Sequence, residues 1–392
     1  MSKINIGIIG AGVIFRLMHL PVLKKLERKF NIVKIYDIER SAFISAARVM
    51  KKLKYPFEKN IWAESSEEIF NDGKIDAVAV LTGINSHLDY TLKALNSSKH
   101  VFLEKPAALS VKEIQKMDAL SAKKKKLVQV GMVLRHSRWF SKLKEIIDSG
   151  KYGRVHWMHW LETRPFDPMN WRYDSKNKNG DAIINDKAVH QVNLFNAFAG
   201  SVPRKVMAMG GQYMLNNSKV KKLRTFNKEV LLRGDSNDHL MAIIGYENGV
   251  KADLLISYIS AHARESRWVI QLEKAKIVTH FETFVKGNKK NKFGWDKNPS
   301  TIYLFKDDSS YKVPWRIPMS YPPSEKNLVF YDEYSGDPLH PGATKQWMEF
   351  YRCIKSNTRP ECSLSLAALD TKVTEAICKS VKNERVVRLQ KF

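Results

Sequence analysis

The chain has 392 residues, 44% apolar and 27% charged, with a formal net charge of +26. That length suits two domains with a sizeable core, and the composition excludes a disordered or fibrous chain. No apolar run reaches the roughly 18 residues of a membrane-spanning helix. The first residues also lack the regions of a signal peptide, so a cytoplasmic location is expected.

Taken in order, residues 4–9 read as a strand, 13–26 as a helix, 32–36 as a strand and 41–53 as a helix. Strands at 77–81, 100–103 and 127–130 then alternate with helices at 88–96 and 111–123. This alternation predicts βαβ units and a doubly wound parallel sheet. The strand at 77–81 is apolar throughout, as expected of one covered on both faces.

Beyond Gly150 the pattern changes. A strand at 155–162 leads through a polar loop to one helix at 183–198. Extended runs follow at 204–211, 239–246, 251–259, 268–273, 276–280, 302–305 and 311–313, with a basic surface loop at 281–300. Glu247-Asn248-Gly249 links two of these runs as a tight turn. Helices at 343–354 and 364–381 close the chain. The expected division is a dinucleotide-binding domain at 1–132 and an α+β domain at 133–392, a largely antiparallel open sheet whose last helices can pack back on the first.

Cys353, Cys362 and Cys378 match neither a disulfide framework nor a zinc pattern and read as reduced structural thiols. The lysine clusters at 123–126, 219–222 and 286–297 lack the aromatic interleaving of a nucleic-acid surface, so solvated lysines are the simpler reading.

Three motifs carry chemistry. Gly10-Ala11-Gly12-Val13-Ile14 follows a strand and opens a helix, the context of a dinucleotide turn. There the backbone and the helix N-terminus meet a pyrophosphate. Phe15 stands where a third glycine or alanine is usual, so helix-to-strand packing must differ. Asp37, ending the next strand, suits ribose hydroxyls and favours NAD; Arg40 is close enough to hold a 2′-phosphate, which leaves NADP open.

Thr82, Asn85 and His87 follow a strand at the ligand edge and are placed to line the cofactor. Capping by Asn85 or Ser86 accounts equally well for part of that pattern.

The second motif, Glu104-Lys105-Pro106, sets an ammonium at the carboxyl end of a buried parallel strand, where open α/β sheets bind ligands. Such a lysine stabilises charge on an alcohol or carbonyl oxygen. The plainer alternative is a lysine pairing with Glu104. Pro106 fixes the chain and permits a cis Lys105–Pro106 bond.

The third motif is Asp186 and His190, four residues apart on one helix face, with Asn193 continuing it. Histidine suits general-base work near neutral pH. Alone, such a pair is more often structural; beside Lys105 the reading turns catalytic. No cysteine or further histidine sits at ligand spacing, so no metal is expected.

At these residues the chain resembles the Gfo/Idh/MocA oxidoreductases: Gly10-Ala11-Gly12, Glu104-Lys105-Pro106, and Asp186 with His190. The likeness extends to residues 131–135 and Trp171-Arg172. It implies a Rossmann domain followed by an α/β domain whose open sheet mediates homodimers or homotetramers.

The resemblance also implies that Lys105, Asp186 and His190 line a sugar site beside the nicotinamide, with Arg135 and Asn193 among the substrate contacts. Glu104, Trp171 and Arg172 then lie near the cofactor. Two departures stand out: Gly180-Asp181-Ala182 replaces a glycine-rich stretch, and Asn193 stands where many relatives have Asp. Asp186-Lys187 also resembles a subgroup with Glu-Lys before the histidine.

The expected reaction is hydride transfer between NAD or NADP and a secondary alcohol or ketone of a sugar, cyclitol or nucleotide-sugar. His190 takes the proton, Lys105 stabilises the alkoxide and Asp186 orients ring or substrate, so the three must converge. A non-catalytic NAD(P) or sugar sensor and an NAD-dependent glycosidase are the alternatives.

Overall fold

The computed structural model describes residues 2–57, 59–164, 181–214, 222–225, 228–231, 236–259, 265–280, 300–306, 325–332 and 341–390. The chain divides into two compact units, Met1–Ser137 with Gly336–Lys372, and Arg138–Ser335 with Val373–Phe392.

In the first unit the apolar runs become β1 (Ile4–Ile9), β2 (Phe30–Tyr36), β3 (Ala77–Val80), β4 (His100–Leu103) and β5 (Val128–Val130). They form a sheet of order β2-β1-β3-β4-β5, parallel at every pairing, as the alternating pattern predicts. Every residue of β3 is buried, because helices cover both faces of a parallel sheet. The helix Val111–Lys124 shows why such helices begin where they do: Ser110 accepts a hydrogen bond from the Glu113 N–H, satisfying a donor that the first turn leaves open.

The helix Ala343–Ser356, distant in sequence, belongs to the core of this unit. Trp347 stacks on Phe102 of β4 with ring centroids 4.2 Å apart and planes 6° from parallel. Phe30 and Phe350 meet Trp347 edge-on.

The second unit holds a nine-stranded sheet. Its strands are β6 (Val155–Thr163), β7 (Pro203–Gly211), β10 (His239–Tyr246), β11 (Lys251–Ser257), β12 (Glu265–Leu272), β13 (Ala275–His280), β14 (Ser300–Lys306), β15 (Leu328–Asp332) and β16 (Val387–Arg388). A separate hairpin joins β8 (Lys222–Thr225) to β9 (Lys228–Leu231).

The order β15-β14-β13-β12-β6-β11-β10-β7-β16 is antiparallel except where β6 lies beside β11. β6 slots between the consecutive strands β11 and β12, so it must run parallel to one of them. The Asn248-Gly249 turn joins β10 to β11, with Gly249 at φ 92°. The expected strand at 311–313 and loop at 281–299 lie outside the described residues.

One face of the large sheet is covered: Phe195 and Phe198 of the helix at 182–198 pack on Trp268, with centroids 6.0 and 5.5 Å apart. On β7 and β10, Met207, Met209, Met241 and Ile243 alternate with buried neighbours and are exposed. Register sets Met209 beside Met241 and Met207 beside Ile243. Among the described residues, no helix is long and apolar enough to cross a membrane.

Candidate functional site

The glycine turn sits at the carboxyl end of β1. Gly10 has φ 100°, and a Cβ there would fall 2.7 Å from the Leu81 carbonyl oxygen. Only glycine tolerates both the conformation and the approach. Gly12 is the opposite case, because a Cβ built on it meets nothing within 4 Å. That open space lies at the start of the helix at 13–25, whose first N–H groups, including those of Val13 and Ile14, have no partner inside the helix. Backbone donors around open space suit a pyrophosphate, so these residues fit a dinucleotide.

Phe15, where a small residue is usual, is fully buried and begins a π-helical stretch, Phe15–His19, ahead of the α-helical Leu20–Lys25. The wider turn is where the helix departs from the usual arrangement. The Asp37 carboxylate accepts hydrogen bonds from the Ala11 N–H at 2.6 Å and the Glu39 N–H at 2.9 Å. It therefore ties the end of β2 to the glycine turn. Arg40 is exposed and lies 3.4 Å from Glu64. Arg16, which belongs to no motif, donates to the Ala11 carbonyl at 3.1 Å and braces the same turn.

At the end of β4, Glu104 is buried and Lys105 half-buried, and the Lys105–Pro106 bond is cis. Glu104 Oε1 lies 2.9 Å from His19 Nε2, and Oε2 accepts the Lys105 N–H at 2.9 Å. Burial pushes the Glu104 carboxyl upward most strongly. The His19 hydrogen bond and the positive charge of Lys105 together outweigh it and hold the group below the usual carboxylate range.

The ring of His87 is enclosed between two backbone carbonyls, Pro106 O at 2.9 Å and Thr82 O at 3.1 Å. Burial lowers its pKa below the ordinary histidine value. A neutral imidazole carries one N–H, so His87 donates to one of these carbonyls and only packs against the other; either way it sits between the turn after β3 and the Lys105 segment. Ser86 donates to Thr82 Oγ1 at 2.8 Å and, although it stands at the N-cap of the helix at 87–96, makes no side-chain cap bond. Asn85 is exposed. Arg135, after β5, approaches Glu361 at 3.5 Å.

In the second unit, the helix at 182–198 carries Asp186, His190 and Asn193. It opens as a π-helix, Ala182–Ala188, and becomes α-helical over Val189–Phe198. The four-residue step from Asp186 to His190 therefore spans the junction, not a uniform α-helix. Both are half-buried, and Asn193 is buried.

Asp181 caps the helix: Oδ1 accepts from the Ile184 N–H at 3.0 Å, and Oδ2 from Asn237 N and Nδ2 at 2.9 and 2.6 Å. Its carboxyl is nonetheless pushed above the ordinary aspartate value, mainly by burial. Beneath the helix, Glu162 of β6 is 1% exposed. It pairs with Lys187 at 2.8 Å and accepts from Gln191 at 3.2 Å. Trp171 and Arg172 lie outside the described residues.

Residues 4–132 match the model of an oxidoreductase family with an NAD-binding Rossmann fold, and residues 140–278 match the GFO/IDH/MocA C-terminal domain. The chain belongs to the Gfo/Idh/MocA family. It is an NAD-binding oxidoreductase family, and its sequence relatives include inositol 2-dehydrogenase 3 of Saccharopolyspora erythraea, 27% identical over 191 residues. That match covers 48% of this chain and 52% of the relative, so the chain spans about half the length of the curated relatives it matches.

An oxidoreductase of Thermotoga maritima has the same fold, with 24% identity, a TM-score of 0.72 and coverage of 99% of this chain and 98% of that one. Levoglucosan dehydrogenase in complex with NADH and L-sorbose reaches a TM-score of 0.75 over the whole of both chains at 17% identity.

Membership in Gfo/Idh/MocA accounts for the motif residues but not for the groups that hold them. His19, Trp347 and Glu162 have no motif of their own. Glu162 alone left a signal, as an acidic residue in line with the inward-facing Met158 and Trp160. The three cysteines are free. Burial raises the thiols, pushing Cys378 up to about 12, so they stay protonated at neutral pH.

Proposed function

We propose that the protein is an NAD-dependent dehydrogenase acting on a secondary alcohol of a sugar, cyclitol or nucleotide-sugar. The observation that carries this reading is Lys105, held by its backbone to the buried Glu104 at the ligand edge of the parallel sheet. The nicotinamide, when bound, supplies the hydride acceptor. Gly10, Gly12, Val13, Ile14 and Asp37 hold the dinucleotide, with the turn at Thr82 beside it.

Lys105 stabilises negative charge on the substrate oxygen, His190 accepts the hydroxyl proton, and Asp186 orients the imidazole or a neighbouring hydroxyl. Arg135 and Asn193 complete the substrate contacts, and Trp171 and Arg172 serve the cofactor. Inositol 2-dehydrogenases and levoglucosan dehydrogenase, among the similar proteins, support a polyol or sugar as substrate.

NAD is preferred over NADP because a carboxylate, Asp37, ends β2, whereas Arg40 projects into solvent. Residues 1–132 supply the dinucleotide half and 133–392 the substrate and assembly half, except that the helix at 343–356 returns to the core of the first unit. A second copy of the chain packs on the exposed apolar face of β7 and β10, a surface larger than scattered single residues would give.

The test is nicotinamide absorbance with NAD and NADP across a panel of polyols and sugars. A Lys105→Ala protein should bind NAD normally, with kcat lowered by ~10²–10³-fold. Unchanged kcat in that variant would falsify the assignment.

A further inference from the structure

The segment that carries Lys105 is fixed from two sides by buried imidazoles with no place in the proposed chemistry. On one side runs a chain of three hydrogen bonds. Trp347 Nε1 donates to His19 Nδ1 at 3.0 Å, His19 Nε2 meets Glu104 Oε1 at 2.9 Å, and the Lys105 N–H donates to Glu104 Oε2 at 2.9 Å.

An indole nitrogen can only donate, so His19 Nδ1 must present its lone pair and the ring proton sits on Nε2, aimed at the carboxylate. His19 is 0% exposed and Glu104 6%. Gly131 closes the remaining side, since a Cβ there would fall 3.1 Å from Glu104 Oε1. The carboxylate therefore has one orientation. On the other side His87, 1% exposed, has Nδ1 2.9 Å from the Pro106 carbonyl and Nε2 3.1 Å from the Thr82 carbonyl.

We propose that His19 and His87 are positioning residues for Lys105 and link its placement to the seating of the dinucleotide. The proposal rests on the reading of Lys105 as the ammonium that serves the substrate oxygen. His19 lies on the helix that the glycine turn opens, and His87 begins the helix after the Thr82 turn. Each segment assigned to the cofactor is thus one imidazole away from the Lys105–Pro106 peptide. A small displacement of either segment on binding is passed to Lys105 through the hydrogen-bonded His19–Glu104 pair on one side and the buried, close-packed His87 ring on the other, with no contact needed between its ammonium and the cofactor. The π-helical stretch ends at His19, so the irregular turn has a use: it delivers a side chain to Glu104.

The experiment compares His19→Gln, whose amide can both donate to Glu104 and accept from Trp347, with His19→Leu, which can do neither. Trp347→Phe keeps a ring over Phe102 but removes the indole donor. With the full chain labelled at lysine, NAD should move the Lys105 side-chain NMR signal in the wild type and in His19→Gln, and move it markedly less in His19→Leu. Nitrogen NMR of wild-type His19 should give the Nε2–H tautomer, and Trp347→Phe should mix the tautomers.

In turnover, His19→Leu should lose roughly 10- to 100-fold in kcat, with substrate KM and NAD affinity within about threefold of wild type. His19→Gln should recover most of that loss. Equal losses in His19→Gln and His19→Leu, or a Lys105 signal that answers NAD equally in all three proteins, overturn the proposal. His87→Leu should weaken the same response, and an unaltered response overturns the second arm. The lysine signal needs no turnover, so it tests the linkage even if Lys105→Ala sinks the dehydrogenase reading.

Discussion

The end of β4 and the helix at 182–198 hold their polar groups by opposite means. At β4, Glu104 faces the His19 ring and the Lys105 N–H, and its carboxyl is held below the ordinary range despite burial. At the helix, Asp181 accepts three hydrogen bonds yet its carboxyl is pushed upward, because burial outweighs them. The contrast shows that hydrogen-bond number alone does not fix a buried carboxylate. A neighbouring imidazole N–H and an ammonium together change the balance where neutral amides do not.

The largest change expected from breaking either arrangement is at Trp347. Its ring lies flat on Phe102 and its N–H orders His19. Trp347→Ala should destabilise the protein by ~3–5 kcal/mol, as for other fully buried aromatics. Denaturant unfolding checks this, and a loss under about 1 kcal/mol would mean the core collapses around the gap.

Next comes Glu162, which serves the second region as His19 serves the first. Glu162→Gln keeps the shape but removes the charge facing Lys187. Because Lys187 retains some solvent access, the expected cost is about 1–3 kcal/mol, the range for hydrogen bonds to charged groups. Equal stability of the variant and the wild type would show that Lys187 simply turns to water.

The two carboxylates also predict opposite responses to pH. Glu104 has a folded pKa below its ordinary 4.5, so its contribution is present above that value and lost as pH falls through the folded pKa. Asp181 has a folded pKa above its ordinary 3.8, so its contribution is present below that value and lost as pH rises through the folded pKa. Unfolding curves measured on both sides of these values should show Glu104→Gln flattening the acid loss and Asp181→Asn flattening the loss on the alkaline side. If both variants run parallel to the wild type, the assignment of these groups is wrong.

The same contrast explains what could be read from the sequence. The parallel sheet was legible because its strands are short, apolar and spaced by helices, and Gly10 was legible because a turn against Leu81 admits nothing larger. Lys105 was legible as a charge at the end of an apolar strand. Its supports were not, since His19 and Trp347 are 328 residues apart and neither breaks the local pattern. Nor could spacing reveal that both site helices open with π-helical turns, because apolar periodicity cannot separate those from α-helix over a few residues. The parallel pairing of β6 with β11 depends on strand order, which alternation of residue type does not encode.

The smallest effect belongs to the exposed face of the large sheet. Met209 is 70% exposed, and its neighbour across the register, Met241, is 50% exposed. In a lone copy Met209→Ser should alter stability by less than about 0.5 kcal/mol, because little apolar surface is lost from the core. If a second copy covers this face, the same substitution should lower the unfolding midpoint more at high protein concentration than at low, since association stabilises only the folded state. Light scattering of wild type and Met241→Lys separates the cases: a lysine set among Met207, Met209 and Ile243 leaves the fold intact but removes the larger species. An unchanged mass for Met241→Lys would mean that this face stays open to solvent, and that its methionines are no more than singly tolerated surface residues.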